Sequence, residues 1–294
     1  MNAGALYMLA SAFSFSAMTV LVKTVGTRLP SQEIVLARAI VSLVLSFALI
    51  RRAGIEPLGR RRGLLLVRGL LGFTGLSCVF YSVTHLPLAE ATVIQYLHPT
   101  FTALLAVLFL REVVSKRMIL ASAVSLLGVL LVAAPESLLS LCPTESIASA
   151  RNLPTLALTA AVGGAFFSGA AYVVVRRLSH DEDPLVIVLY FPLVTVPATL
   201  PLVALDFVMP LAWEWLALLG IGVLTQAGQV WLTRGLKQLP AARGTAFSYA
   251  QVVFAVAWGA LFFGETPGPS TWLGAALIIG GTLAVSLARE PVRR

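Results

Sequence analysis

LPLAEATVIQYLHPTFTALLAVLFLRE, residues 86–112, returns 153 positions later as LPAARGTAFSYAQVVFAVAWGALFFGE, residues 239–265. Set together without gaps, the copies match at Leu86/Leu239, Pro87/Pro240, Ala89/Ala242, Thr92/Thr245, Tyr96/Tyr249, Phe101/Phe254, Phe109/Phe262 and Glu112/Glu265. The register holds outward at Gly75/Gly228 and Gly128/Gly281, so the chain is duplicated. Each copy opens on Leu-Pro, runs through about 22 mostly apolar residues, enough to span a bilayer, and closes on Arg-Glu or Gly-Glu. Thr, Tyr, Gln, His and Ser fall at mid-span, where polar groups are costly and are kept for function.

Composition excludes a soluble domain. The chain is 58% hydrophobic and 12% charged, with a mean hydropathy of +0.91, far outside the range of water-soluble proteins. Ten apolar segments are expected, at 4–22, 32–50, 64–84, 88–110, 117–134, 154–175, 185–205, 211–233, 241–263 and 271–288. Their length and unbroken apolar character indicate helices; barrel strands are about 10 residues long and alternate strictly. The first run begins at Ala3 without a basic leader and is too long for a signal-peptide core, so it reads as a retained span. Cys78 lies in a span and Cys142 in a loop; they are not expected to pair, and neither has metal-ligand spacing. The fold class is an all-α polytopic membrane protein. Residues 1–134 form a first five-helix repeat, 135–153 a connecting loop and 154–294 a second repeat.

Sixteen of the 21 Lys and Arg gather on one side of these spans, at Arg51, Arg52, Arg60, Arg61, Arg62, Arg111, Lys116, Arg117, Arg176, Arg177, Arg234, Lys237, Arg243, Arg289, Arg293 and Arg294. Only Lys23, Arg28 and Arg151 fall opposite, while Arg38 and Arg68 lie within spans. The positive-inside rule then puts both termini in the cytoplasm. The net charge of +8 is thus a topology signal, and no nucleic-acid partner is implied. Five spans per copy is an odd number, so the second copy enters the membrane upside down. Inverted repeats of this kind build secondary transporters, with substrate held at the midplane. A structural bundle or a channel is the alternative.

The ten spans in two five-helix halves, LAR near the start of span 2, the L-P-x-A-x-x-T opening of spans 4 and 9 and the Glu closing each of them resemble the EamA-type drug/metabolite transporter superfamily. The resemblance covers nearly the whole chain. It implies two inverted repeats around a central cavity lined by helices 1, 3, 4, 6, 8 and 9, with helices 5 and 10 behind. Among its branches, the bacterial exporters of aromatic and neutral amino acids (YddG-like) are the nearest in kind. An Arg at the place of Arg38 is common in the family, whereas span 7 here lacks a matching Arg.

Helical spacing picks out polar stripes on those six helices. They comprise Tyr7, Ser11, Ser14 and Met18 in span 1; Thr74, Ser77, Tyr81 and Thr84 in span 3; and Thr92, Gln95, Tyr96 and Pro99 in span 4. Span 6 adds Ser168 and Tyr172, span 8 Thr225, Gln229 and Trp231, and span 9 Thr245, Ser248, Tyr249, Gln251 and Trp258. The expected substrate-binding set is Tyr7, Ser11, Ser14, Ser77, Tyr81, Gln95, Tyr96, His98, Pro99, Tyr172, Gln229, Trp231, Ser248, Tyr249 and Gln251, centred on spans 3, 4, 8 and 9. For any single Ser or Thr, a bond back to its own helix or to a neighbour competes with ligand contact. Spans 5 and 10, with Ser125, Gly128 and a run of small residues, read as packing helices or a subunit contact. Pro192, Pro197 and Pro201 should bend span 7. Arg38, Glu112 and Glu265 are expected in structural or gating roles, with a substrate carboxylate as the alternative for Arg38. Arg68 and Glu90 are expected to snorkel.

No nucleophile elbow, H-E-x-x-H, Walker loop or paired mid-membrane carboxylates occur, so neither an enzyme nor ATP hydrolysis is expected. No cofactor is implied. Partners are a small-molecule substrate and the lipid bilayer, in a monomer or weak homodimer. The expected function is a secondary transporter exporting small amphipathic metabolites across the bacterial inner membrane by alternating access, most of all neutral and aromatic amino acids. An exporter of nucleosides, drugs or other metabolites, or a channel-like facilitator, is the alternative. All Asp and Glu lie in loops or near helix ends, and His98 is the one mid-span group that titrates near neutral pH; its helical angle favours a packed neutral ring. Reporter fusions should place the 135–153 loop and the 264–270 turn in the periplasm and both termini in the cytoplasm. Finding residues 112 and 265 on one side would refute the inverted repeat.

Overall fold

A computed structural model describes residues 3–86, 88–133, 155–264 and 266–287. The 135–153 loop with Cys142, Glu265, and the side chains of Thr84 and Glu90 lie outside the described residues. The described chain is helical throughout, in twelve α-helical pieces. These are α1 (Ala3–Val25), α2 (Ser31–Ala53), α3 (Arg62–His85), α4 (Leu88–Gln95), α5 (His98–Leu105), α6 (Lys116–Ala133), α7 (Thr155–Leu178), α8 (Pro184–Val203), α9 (Ala212–Gln238), α10 (Ala241–Ala246), α11 (Ala250–Phe263) and α12 (Pro269–Leu287). A π-helical turn, Ala106–Leu110, continues α5, and a 3-10 turn, Phe247–Tyr249, joins α10 to α11. The pieces make ten helices long and apolar enough to cross a membrane. Spans 4 and 9 are each built from two pieces. Apolar side chains stand fully outward at mid-helix, among them Val44, Leu108, Leu120, Leu216 and Leu261, which suits hydrocarbon and not water.

The helices group into two compact units, and neither unit is one repeat. The first is Met1–Phe73 with Val174–Pro240, the second Thr74–Val173 with Ala241–Arg294. In the first unit α1 packs along α9, and α2 lies between α8 and α9. Gly228 admits Phe15 at the α1–α9 crossing, where a Cβ would stand 2.9 Å from the ring. Val25, Leu29, Ile34, Leu218 and Ile221 form the apolar cluster at one end of this unit. Carboxylates tie both ends. At one end Glu214 accepts both the Arg28 guanidinium and, at 2.7 Å, the Leu211 N–H, the reciprocal half of a capping box. Beside it, Glu33 accepts the Val208 N–H at 3.1 Å. At the other end Glu182 accepts the Arg60 and Arg61 N–H groups, Arg61 pairs with Asp181 at 2.8 Å, and the Tyr190 hydroxyl donates to the Leu58 carbonyl. Asp183 caps α8 through the Leu185 N–H, with Pro184 at the first helical position, as helix starts prefer. The expected bend of span 7 does not interrupt it, since α8 runs through Pro192, Pro197 and Pro201 as one helix.

In the second unit α6 packs on α12, the repeat-equivalent helix, through small residues. A Cβ on Gly274 would approach the Gly128 carbonyl to 2.6 Å, and one on Gly281 would meet the Ala121 carbonyl at the same distance. Spans 5 and 10 therefore pack on each other. The α3–α7 crossing is equally close, with Gly75 against Ser168 and Gly164 against Val79. Glu112 receives the Ala241 N–H on both oxygens, at 2.8 and 3.1 Å, and so caps span 9. Spans 4 and 9 both end in a left-handed residue, Arg111 at φ 53° and, 153 positions later, Gly264 at φ 63°. Only the second copy has the residue that adopts this conformation without a Cβ clash.

Two stability changes follow. Arg111→Gly should raise the midpoint of thermal unfolding in detergent, by relief of about 1 kcal/mol of backbone strain. Gly281→Leu, which forces α6 from α12, should lower it by the several degrees typical of overpacking at about 1–3 kcal/mol.

Candidate functional site

Span 4 breaks where proline dictates. Pro99 has no N–H, so the carbonyl four residues earlier, Gln95, loses its helical donor. His98 replaces it, its Nδ1 lying 3.0 Å from the Gln95 oxygen. A carbonyl partner requires Nδ1 to carry the proton, which leaves Nε2 as an acceptor. Nε2 lies 3.1 Å from Ser248 Oγ on span 9. The same hydroxyl is 2.6 Å from the Thr245 carbonyl, so one hydroxyl proton is contested by two acceptors. Span 9 changes to a 3-10 turn at Phe247–Tyr249, and the 153-residue offset places Gln95 and Tyr96 opposite Ser248 and Tyr249. Both spans thus lose α-helical regularity at equivalent positions. Paired discontinuities of this sort mark substrate sites in transporters built from repeats.

Aromatic rings gather at the break within the second unit. Tyr96 and Tyr249 stack with centroids 6.1 Å apart, Tyr96 lies 6.2 Å from His98, and Tyr172 meets His98 edge-on at 5.5 Å. Tyr249 is fully enclosed and Tyr96 nearly so, packed with Val129, Val252 and Ile278. His98 and Pro99 are buried with them. Ser77, Gln95, Tyr172, Ser248 and Gln251 are half-buried, and the Gln95 Oε1 is buried without a hydrogen bond. Tyr81 is more open and stacks on His85 at 4.1 Å. In this unit the open groups therefore offer hydroxyls and carboxamides beside fixed rings.

The remaining expected residues lie in the first unit, where several have packing roles. Ser11 and Ser14 are buried and donate to the Gly228 and Leu224 carbonyls at 2.8 and 2.9 Å, pinning α1 to α9. Tyr7 and Trp231 are half-buried. Gln229 is half-buried and accepts an Arg68 N–H at 3.1 Å. Arg68 does not snorkel as expected. It is buried, with its guanidinium carbon 5.1 Å from the centre of the Phe191 ring, where a cation–π contact and a carboxamide replace water. Phe191 and the Ser42–Gln226–Ser46 hydrogen-bond chain carried no sequence signal beyond their residue types. Cys78 is a free thiol.

Ten membrane-length helices with polar side chains at paired helix breaks define a membrane transporter. The chain belongs to the EamA-like transporter family, whose sequence signature matches residues 2–134 and again 155–287. It is 34% identical, over 99% of this chain and 98% of the relative, to the pseudopaline exporter CntI of Pseudomonas aeruginosa. It is 27% identical to a riboflavin transporter of Vibrio cholerae, over 94% of this chain and 90% of that one. With human solute carrier family 35 member G1 it shares 29% identity, over 96% of this chain and 76% of that protein. A protein crystal structure 19% identical in sequence superposes with a TM-score of 0.80, covering 97% of this chain and 96% of the other. The fold is shared with it.

Because His98 serves the Gln95 carbonyl, it is coupled to Pro99. In a double-mutant cycle, His98→Ala should cost about 1 kcal/mol less in a Pro99→Ala background, where residue 99 again has an N–H for that carbonyl. Unfolding in detergent reads the coupling, and additive effects would exclude it.

Proposed function

We propose that the protein is a secondary transporter that exports small amphipathic metabolites across the bacterial inner membrane, with neutral and aromatic amino acids favoured. The two copies are taken to be inverted five-helix repeats, 1–134 and 154–294, with both termini cytoplasmic and alternating access as the mechanism. The carrying observation is the paired break of spans 4 and 9, where the Gln95 carbonyl, the Ser248 hydroxyl and the Tyr172 ring all meet His98. A ring can take an apolar side chain, and hydroxyl and carboxamide groups can take an ammonium and a carboxylate. The exporter relative supports the direction. The riboflavin transporters favour a second reading, in which the ligand is a polar ring compound such as a nucleoside or drug.

Saturable counterflow in proteoliposomes across a panel of amino acids, nucleosides and riboflavin separates these readings and separates a carrier from a channel-like facilitator. Tyr172→Ala should raise the half-saturating concentration of the preferred substrate about fivefold, the loss of roughly 1 kcal/mol of ring contact. No mid-span carboxylate is present in the sequence to relay protons, and the His98 Nδ1 faces a carbonyl. An imposed pH gradient should therefore accelerate transport little. Strong proton-driven accumulation that vanishes in His98→Gln would make His98 the coupling residue.

A further inference from the structure

Arg38 lies about two turns into α2, on the face that meets α9. One turn before it, Ile34 packs with Leu218 and Ile221; one turn after it, Ser42 bonds Gln226; and Val41 fills the notch at Gly222. Residues at these spacings share a face, so Arg38 lies between two sealed layers of the same helix contact. It is half-buried. Its Nε is enclosed with no hydrogen bond, and among the described residues its guanidinium has neither a hydrogen-bond partner nor a charged neighbour acting on it.

A guanidinium does not lose its charge in a protein and carries five donors. Inside a membrane span such a group needs an anion or a water-filled opening. Among the described residues no carboxylate acts on Arg38. Glu214 is engaged by Arg28 and the Leu211 N–H; Glu33 accepts the Val208 N–H through Oε2, its Oε1 is buried without a hydrogen bond, and neither carboxylate pairs with Arg38. Of the other elements packed here, α8 contains no charged residue and α1 contains only Lys23. A partner within the protein, which a structural or gating role for Arg38 needs, is therefore not found among the described residues.

We propose that Arg38 is a binding site for the carboxylate of the transported molecule, so that the substrates are organic acids or zwitterions and uncharged analogues are discriminated against. The proposal rests on the transport reading above and specifies its substrate class. One planar fork matches one carboxylate through two parallel hydrogen bonds.

The test has two arms on the full-length protein. In detergent, phenylglyoxal labels accessible guanidinium groups, and peptide mass spectrometry follows Arg38 in the presence of benzoate or L-phenylalanine, against benzamide or L-phenylalaninamide. The acids should slow labelling of Arg38 about fivefold relative to the amides and leave Arg28, paired with Glu214, unaffected. Equal rates with acid and amide, or an Arg38 inert to the reagent throughout, would overturn the proposal. In proteoliposomes, Arg38→Gln should lower counterflow of the acid about tenfold relative to its amide, the scale of one lost charge-assisted pair. Arg38→Lys should recover part of this. Retained amide counterflow shows that the variant is folded, and an unchanged acid-to-amide ratio would also overturn the proposal. Protection of Arg38 without counterflow of any probe would leave the anion site standing and remove the carrier reading.

Discussion

A peptide carbonyl inside a bilayer must find its donor within the protein, because hydrocarbon offers none. This requirement explains the structure around span 4. Pro99 removes one donor, and an imidazole one residue away supplies another. The replacement has consequences, since it fixes the His98 tautomer, orients Nε2 toward Ser248 and thereby joins span 4 to span 9. The converse need, an acceptor for a buried hydroxyl proton, is met within the helices themselves. Thr102, Thr195, Thr199, Thr233 and Thr245 all donate to the carbonyl four residues back. Such back-bonds let a polar residue sit in an apolar helix at little cost.

The duplication is expressed as packing more than as domains. Equivalent helices meet within a unit: span 2 with span 7 in the first, spans 4 and 5 with spans 9 and 10 in the second. Equivalent glycines do equivalent work on different helices, Gly75 admitting Ser168 and Gly228 admitting Phe15. The copies have also diverged where the cost was small. Gly264 holds the left-handed end of span 9, while Arg111 holds the same conformation in span 4 with a Cβ in place.

The ten spans, the duplication and the packing role of spans 5 and 10 were legible in the sequence because length, apolar character and small residues carry direct physical meaning. The breaks were only half legible. Pro99 announced one, but span 9 has no proline between Ala241 and Phe263, and its 3-10 turn comes without a breaker. Polar stripes gave faces and could not give partners. Ser11 and Ser14 lie on the expected face of α1 and are consumed by α9 carbonyls, whereas Gln95 and Ser248 remain half open. Arg68 was misplaced because hydropathy alone does not reveal that an aromatic ring and a carboxamide wait on neighbouring helices.

The interleaving of the copies bears on how the chain is made in the cell. The ribosome delivers spans 1 to 5 first, yet α1 lacks its partner until α9 appears, and α6 until α12, the tenth span. Neither unit can be completed by the first half of the polypeptide. During synthesis the faces around Gly128 and Ser125 must therefore rest against lipid. Their small side chains leave few polar atoms to shelter, so the nascent half can wait in the membrane until its complement emerges.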